Sequence, residues 1–328
     1  MNKKVILGIL ISIILVYLSF KGINLQDVLS DLKKIQLNYV IFFLLLIILM
    51  QCLRSYRWGV ILQPMEKIDL LSLFSVTSVG FLAIASIPAR IGELARPYLI
   101  SKRSSIKMSS ALGSILIERI LDSFTILTIA VIVIFLTDLP SWMIKSSIIF
   151  FLLALALFCF VMYLILRRES ALKFINMILI KLPGKLANKI DQLIHNFIDG
   201  FQVVTNINLL LYLFFLSAFI WLVDVMAIYM LLKSFGFVLP VMASFVLMII
   251  LIVGIAIPTA PGFIGNWHYA CVLALSLFGL AKSEALSFAV FYHFLSMVTL
   301  VIFGVAFLPF NKFSISDMKN QINNDRTN

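Results

Sequence analysis

Charge is scarce in this chain. Only 12% of its 328 residues are Asp, Glu, Lys or Arg, 62% are hydrophobic, and the mean hydropathy is +1.10. Soluble domains carry about 25% charged and roughly 45–50% apolar residues. A soluble fold could not cover this much apolar surface with so few charges, which excludes a soluble enzyme and a disordered chain. A polytopic membrane protein remains. Cysteine is scarce too: Cys52, Cys159 and Cys271 lie in or beside apolar runs with no CxxC pair, which excludes a disulfide framework and a cysteine zinc site. Of three histidines, His195 is remote from His268 and His293, which argues against a His-rich metal site. No DxD, HExxH, GxGxxG, Walker A or nucleophile-elbow sequence occurs. The expectation is therefore a protein that is not an enzyme, with no cofactor and no metal.

What is abundant is apolar sequence, in runs at about 5–20, 37–53, 70–87, 110–136, 146–166, 207–232, 241–257, 263–279 and 285–308. The first follows Met1-Asn2-Lys3-Lys4, but Tyr17-Leu18-Ser19-Phe20-Lys21 offers no small-x-small cleavage site, so it is expected to remain as the first span. The net charge of +11 fits cytoplasmic loops facing anionic lipid, and no basic stripe with interleaved aromatics suggests nucleic acid.

Two runs meet proline breaks. After 70–87 comes Pro88-Ala89-Arg90-Ile91-Gly92-Glu93-Leu94-Ala95-Arg96-Pro97, and after 241–257 comes Pro258-Thr259-Ala260-Pro261-Gly262-Phe263-Ile264-Gly265. If every run crossed fully, the basic stretch from Arg167 to Lys189 would face outward. Treating about 70–100 and 241–279 as re-entrant hairpins restores an inside bias, with Arg54, Arg57, Lys102 and Arg103 among the cytoplasmic cations. Arg90, Arg96 and Arg119 then remain in the membrane. The expected fold is all-α, with six transmembrane helices, two oppositely oriented hairpins and cytoplasmic termini.

The two breaks align as well. Pro88 to Gly92 matches Pro261 to Gly265 without a gap, Ser86 matches Thr259, and Ala111-Leu112 matches Ala285-Leu286. Inverted repeats of this kind build transporter sites at the midplane. Ser86 and Thr259 are read as caps of helices whose first turn carries the proline, which would aim free N–H groups at the bilayer centre. A proline kink in an ordinary span is the competing reading.

Charges at depth are the most informative feature. Arg90, Glu93 and Arg96 recur every three residues; Glu118 and Asp122 share a face, with Arg119 in reach of Asp122; and Asp224 lies within 207–232. Each costs about 2.5–3.5 kcal/mol at the bilayer centre on the insertion scale. One reading is a buried ion network that fixes helix register. The other is a path for a lipid headgroup, where an arginine fork suits phosphate. His268 and His293 are read either as packing residues or as proton carriers. Residues 167–206 include an amphipathic helix at 186–202, with Ile190 to Phe201 supplying its apolar face, read as lying on the inner membrane surface or else as binding a partner, and 311–328 form a polar cytoplasmic tail after a single membrane domain, 1–310.

These motifs, in this order, resemble the flippase-like membrane family, also called the lysylphosphatidylglycerol synthase transmembrane region. In that family's best-known members the region moves aminoacylated phosphatidylglycerol between leaflets and a soluble transferase domain follows. Only a short tail follows Phe310 here, so the resemblance implies no synthase activity. It implies that Arg90, Glu93, Arg96, Glu118, Arg119 and Asp122 line a lipid path in the cell membrane. Expected partners are phospholipids with an anionic or aminoacylated headgroup, besides a second copy of the chain or an envelope-synthesis enzyme. The alternative function is a non-transporting scaffold for such an enzyme. Two departures stand out: Phe263 replaces the second glycine of the family's Pro-Gly-Gly, and Asn266 stands near where an acidic residue is common.

Overall fold

The computed structural model describes residues 3–87, 92–136, 206–256 and 260–311, with five further residues between 148 and 156. The expected span at 146–166, apart from those five, lies outside the described residues. So do the amphipathic segment up to residue 205, the tail from residue 312, and Pro88, Arg90, Pro258 and Thr259.

Every regular element among the described residues is helical: α1 (Lys3–Phe20), α2 (Leu25–Lys33), α3 (Leu37–Leu62), α4 (Leu70–Ser86), α5 (Ala95–Arg103), α6 (Met108–Leu136), α7 (Ile207–Ser234), α8 (Val241–Ala256), α9 (Asn266–Ser276) and α10 (Lys282–Asn311). Helices start where a polar side chain can satisfy their free N–H groups. Asn24 accepts from Gln26 N, Asp69 from Ser72 N and Asn206 from Leu209 N. Among the described residues four helices, α3, α6, α7 and α10, are long and apolar enough to cross a membrane. Residues 10–20 of α1, with α4 and α8, form shorter apolar helices. The chain is a multi-pass membrane protein.

Helix α3 corrects the sequence reading. Its apolar run was expected to end at 53, with Arg54 and Arg57 in the cytoplasm, but the helix continues to Leu62 and Arg57 is 1% exposed. A charge does not end a span when a carboxylate on a neighbouring helix awaits it.

The described chain repeats itself. Helices α3 to α6 have 26, 17, 9 and 29 residues; α7 to α10 have 28, 16, 11 and 30. Ala111 and Ala285, matched in sequence, are each the fourth residue of the last helix in their set and fully buried. The sets run in opposite directions. Gln36 N bonds Ser234 O at one end of the α3–α7 pair, while Ile61 packs on Leu213 at the other. Helix α4 likewise lies antiparallel to α10, with Ser75 bonded to Asn311 and Leu82 against Gly304.

Within each set the two short helices fold back on one another. Ser105, just past α5, donates its backbone N–H and its hydroxyl to Glu66, just before α4, so this hairpin begins and ends at one side. Gly92 makes the return possible, because a Cβ there would collide with the carbonyl of Ala83 on α4. In the second set, Met242 and Val246 at the start of α8 and Leu277 and Phe278 after α9 belong to one cluster around Val133, near the end of α6. The hairpin bases thus sit at opposite ends of α6, about 40 Å of helix at 1.5 Å per residue.

Candidate functional site

Four charged side chains from three helices of the first set meet in its interior. Arg96, the second residue of α5, points inward past Gly80 of α4, where a Cβ would strike its Cγ. Its two terminal nitrogens donate to the two oxygens of Glu118 on α6 at 3.1 and 3.0 Å. One turn further along α6, Asp122 accepts from both terminal nitrogens of Arg57 on α3 at 2.5 and 3.1 Å. Arg57 also reaches Glu118 at 3.4 Å, which joins the two pairs. Helix α7 closes the group: Ser217 Oγ accepts from Arg57 at 2.7 Å, and Trp221 Nε1 donates to Asp122 Oδ1 at 3.1 Å.

All four charged residues are buried and their charges cancel. Doubled arginine–carboxylate contacts are among the strongest neutralising pairs, and breaking one strands a charge away from water. Aromatic faces complete the shell. The Arg96 guanidinium lies 4.2 Å from the ring centre of Trp58, whose own Nε1 donates to Ser114 on α6. Arg96 is thus met by carboxylate oxygens and ring electrons, and Arg57 by carboxylate and hydroxyl oxygens. Such a group can hold three helices in register, and an arginine released from it can accept a phosphate.

The expected site residues divide. Arg96, Glu118 and Asp122 come together as described. Arg119 does not pair with Asp122: it is exposed on α6, and Arg57 takes the Asp122 carboxylate. Glu93 is half-buried in a 3₁₀ turn, Gly92 to Leu94, ahead of α5, so the helical series Arg90–Glu93–Arg96 is interrupted; Arg90 is outside the described residues. Ser86 is the last residue of α4 instead of the cap of the next helix, and α5 opens after Leu94 without a side-chain cap. Asp224 is half-buried on α7 with no hydrogen bond or direct ion pair among the described residues.

Sequence reasoning missed Arg57 and Arg54. Arg54, Arg57 and Trp58 stand at i, i+3 and i+4, a helical face that continues the pattern past 53. That spacing was the available signal, masked by the habit of reading cations as loop.

Among the described residues the second hairpin is fastened without ions. Pro261 begins a 3₁₀ turn after Ala260, whose N–H donates to Ser12 Oγ on α1 at 2.8 Å. Gly262 has φ 72° and Phe263 φ 59°, a left-handed backbone that glycine accepts and phenylalanine resists. Here the departure from Pro-Gly-Gly carries a backbone consequence. Gly265, at φ 96°, precedes α9, and a Cβ on it would lie 2.7 Å from Ser12 O. Asn266 donates from Nδ2 to Gly254 O on α8 at 2.9 Å, a neutral tie. His293 on α10 donates from Nε2 to Gly262 O at 2.7 Å, and its ring centre lies 4.9 Å from that of His268. The histidines that the sequence left as separate candidates are therefore neighbours at one turn.

Residues 5–304 match the family profile described as "Lysylphosphatidylglycerol synthase TM region". The chain is 22% identical over 302 residues to a UPF0104 membrane protein of Methanothermobacter thermautotrophicus, covering 87% of this chain and 89% of that one. It is 26% identical over 308 residues to a UPF0104 membrane protein of Methanocaldococcus jannaschii, covering 87% and 88%. No solved structure matches.

Proposed function

Because the chain belongs to the lysylphosphatidylglycerol synthase TM region family, we propose that it moves a phosphate-bearing lipid between membrane leaflets without catalysing a reaction. One observation carries the reading. The inner end of a short hairpin helix is held to α6 by a doubled arginine–carboxylate contact, Arg96 to Glu118, buried among apolar helices. A phosphate offers the same paired oxygens as a carboxylate. A headgroup that replaced Glu118 on Arg96 would release the hairpin at little electrostatic cost, while its acyl chains stayed in lipid.

The membrane placement follows from the lengths. Helices α4 and α8 reach about 24–26 Å and α5 and α9 about 14–17 Å, short of a hydrocarbon core of about 30 Å. We place both hairpins as re-entrant, from opposite faces of the cell membrane, beside six full spans, with both termini cytoplasmic. The inverted sets then bring their hairpin turns to the interior, as in transporters built from such repeats.

The test is leaflet redistribution of acyl-labelled phospholipids in proteoliposomes, comparing wild type with Glu118→Gln and Arg90→Ala. Faster movement with wild type, reduced about tenfold by Glu118→Gln in folded protein, is the expected result. Equal rates in all samples would overturn it. That outcome would favour a scaffold that binds an envelope-synthesis enzyme, for which the neutral, charge-paired cluster also argues, since a scaffold needs rigidity and no exchange.

A further inference from the structure

A second arginine, Arg54, can meet substrate before any pair is opened, because unlike Arg57 and Arg96 it has no carboxylate in contact among the described residues. Arg54 lies on α3 one turn before Arg57, half-buried, and makes no hydrogen bond or direct ion pair among the described residues. Its guanidinium sits 5.7 Å from the ring centre of Phe81 on α4 and 5.5 Å from that of Trp221 on α7. Aromatic faces hold a guanidinium in place while leaving its five donors open in the ring plane. Trp221 is itself fixed, since its Nε1 bonds Asp122, so the ring that carries Arg54 is anchored by the closed cluster.

Asp224 faces the same space from α7. It too lacks a hydrogen bond or ion pair among the described residues, yet it is coupled electrostatically to Arg54 and to the buried Tyr292 of α10. Met50 packs with Ile220 and Val223, which puts Asp224 about one helical turn from Arg54 along the α3–α7 pair. The two residues hold equivalent places in the repeat, each the eighteenth of its helix. Opposite charges thus stand at matched positions of the two sets, near enough to attract and too far apart to touch.

We propose that Arg54 and Asp224 form a headgroup site for a zwitterionic phospholipid, Arg54 taking the phosphate and Asp224 the ammonium. The assignment rests on the lipid-transport reading and adds to it the headgroup class. A neutral headgroup with separated charges fills the gap and leaves the site neutral. A purely anionic headgroup satisfies Arg54 alone and meets repulsion at Asp224. Trp221 and Tyr292 offer ring surface to a bound ammonium beside the carboxylate.

Two measurements on the full-length protein separate the failures. Native mass spectrometry in detergent compares retention of phosphatidylethanolamine with that of phosphatidylglycerol. Wild type is expected to prefer phosphatidylethanolamine about tenfold, Asp224→Asn to lose the preference, and Arg54→Gln to weaken both lipids about tenfold. Arg54→Lys and Asp224→Glu retain charge and should keep most binding, which guards against simple misfolding. Acyl-labelled versions of both lipids are then followed in proteoliposomes. Preferential binding without movement overturns lipid transport but supports the site. Movement of both lipids at equal rates, with neither substitution changing retention, overturns the site and keeps transport.

Discussion

Hairpin α4–α5 and hairpin α8–α9 are built to nearly the same lengths, run in opposite directions, and lead into final helices that bury matched alanines. Their fastenings differ in kind. The first is locked by Arg96 and Glu118, with Arg57 and Asp122 behind them. The second is held by neutral bonds from Asn266, His293 and Ser12. A neutral bond can be exchanged one at a time, whereas an ion pair in an apolar interior cannot open without a substitute charge. The same backbone plan therefore yields one arm held by charge and one held by neutral bonds.

The widest gap between the halves should appear with Glu118→Ala, which strands Arg57 and Arg96 together. A loss of roughly 3–5 kcal/mol is expected in unfolding measured in mixed micelles. If the loss matched that of a hairpin-two substitution, the charge distinction would carry no energetic weight. Next comes Gly80→Ala, which pushes on the shaft of Arg96 and should cost about 1–3 kcal/mol. The sharper version is a double-mutant cycle: in an Arg96→Ala background the penalty should nearly vanish.

A smaller effect belongs to the second hairpin. Asn266→Ala removes the donor to Gly254 O and should cost about 1 kcal/mol by the same unfolding assay. The smallest lies at the mouth of the first hairpin, where Asp69→Ala should cost about 0.5–1 kcal/mol of capping. The Ser72 N–H holds the Asp69 carboxyl below its ordinary value. The folded state then binds its proton less readily than the unfolded chain. This contribution is present above about pH 4 and is lost as pH falls through the depressed value. Asp69→Asn keeps an acceptor and should remove that pH dependence, read as a flatter stability profile below pH 4.

Much of the plan was legible in the residues. Proline breaks marked where the long apolar pattern turns back, the alanine match located the helix after each turn, and i, i+4 spacing put Glu118 and Asp122 on one face. What escaped was long-range. Arg57 finds its partners 61 and 65 positions away, as the numbering of Glu118 and Asp122 shows, and no local pattern distinguishes such a cation from one in a loop. The same blindness assigned Arg119 to Asp122, since sequence neighbours on a helix look available until another helix arrives. The cap assignment at Ser86 failed for a local reason: the chain leaves α4 in extended form at Ile87 and begins α5 only after a 3₁₀ turn.

The tie between Ser12 and Ala260 bears on the order of synthesis. Helix α1 packs on α9, and Lys282 Nζ reaches the carbonyls of Leu18 and Lys21 at its far end. Helix α1 is thus completed by segments made long after it. About 250 residues separate the partners, which at ordinary elongation rates is on the order of 10–50 s. During that interval α1 must persist in lipid without its neighbour, and its outward Leu10, Ile13, Ile14 and Tyr17 suit it to wait there.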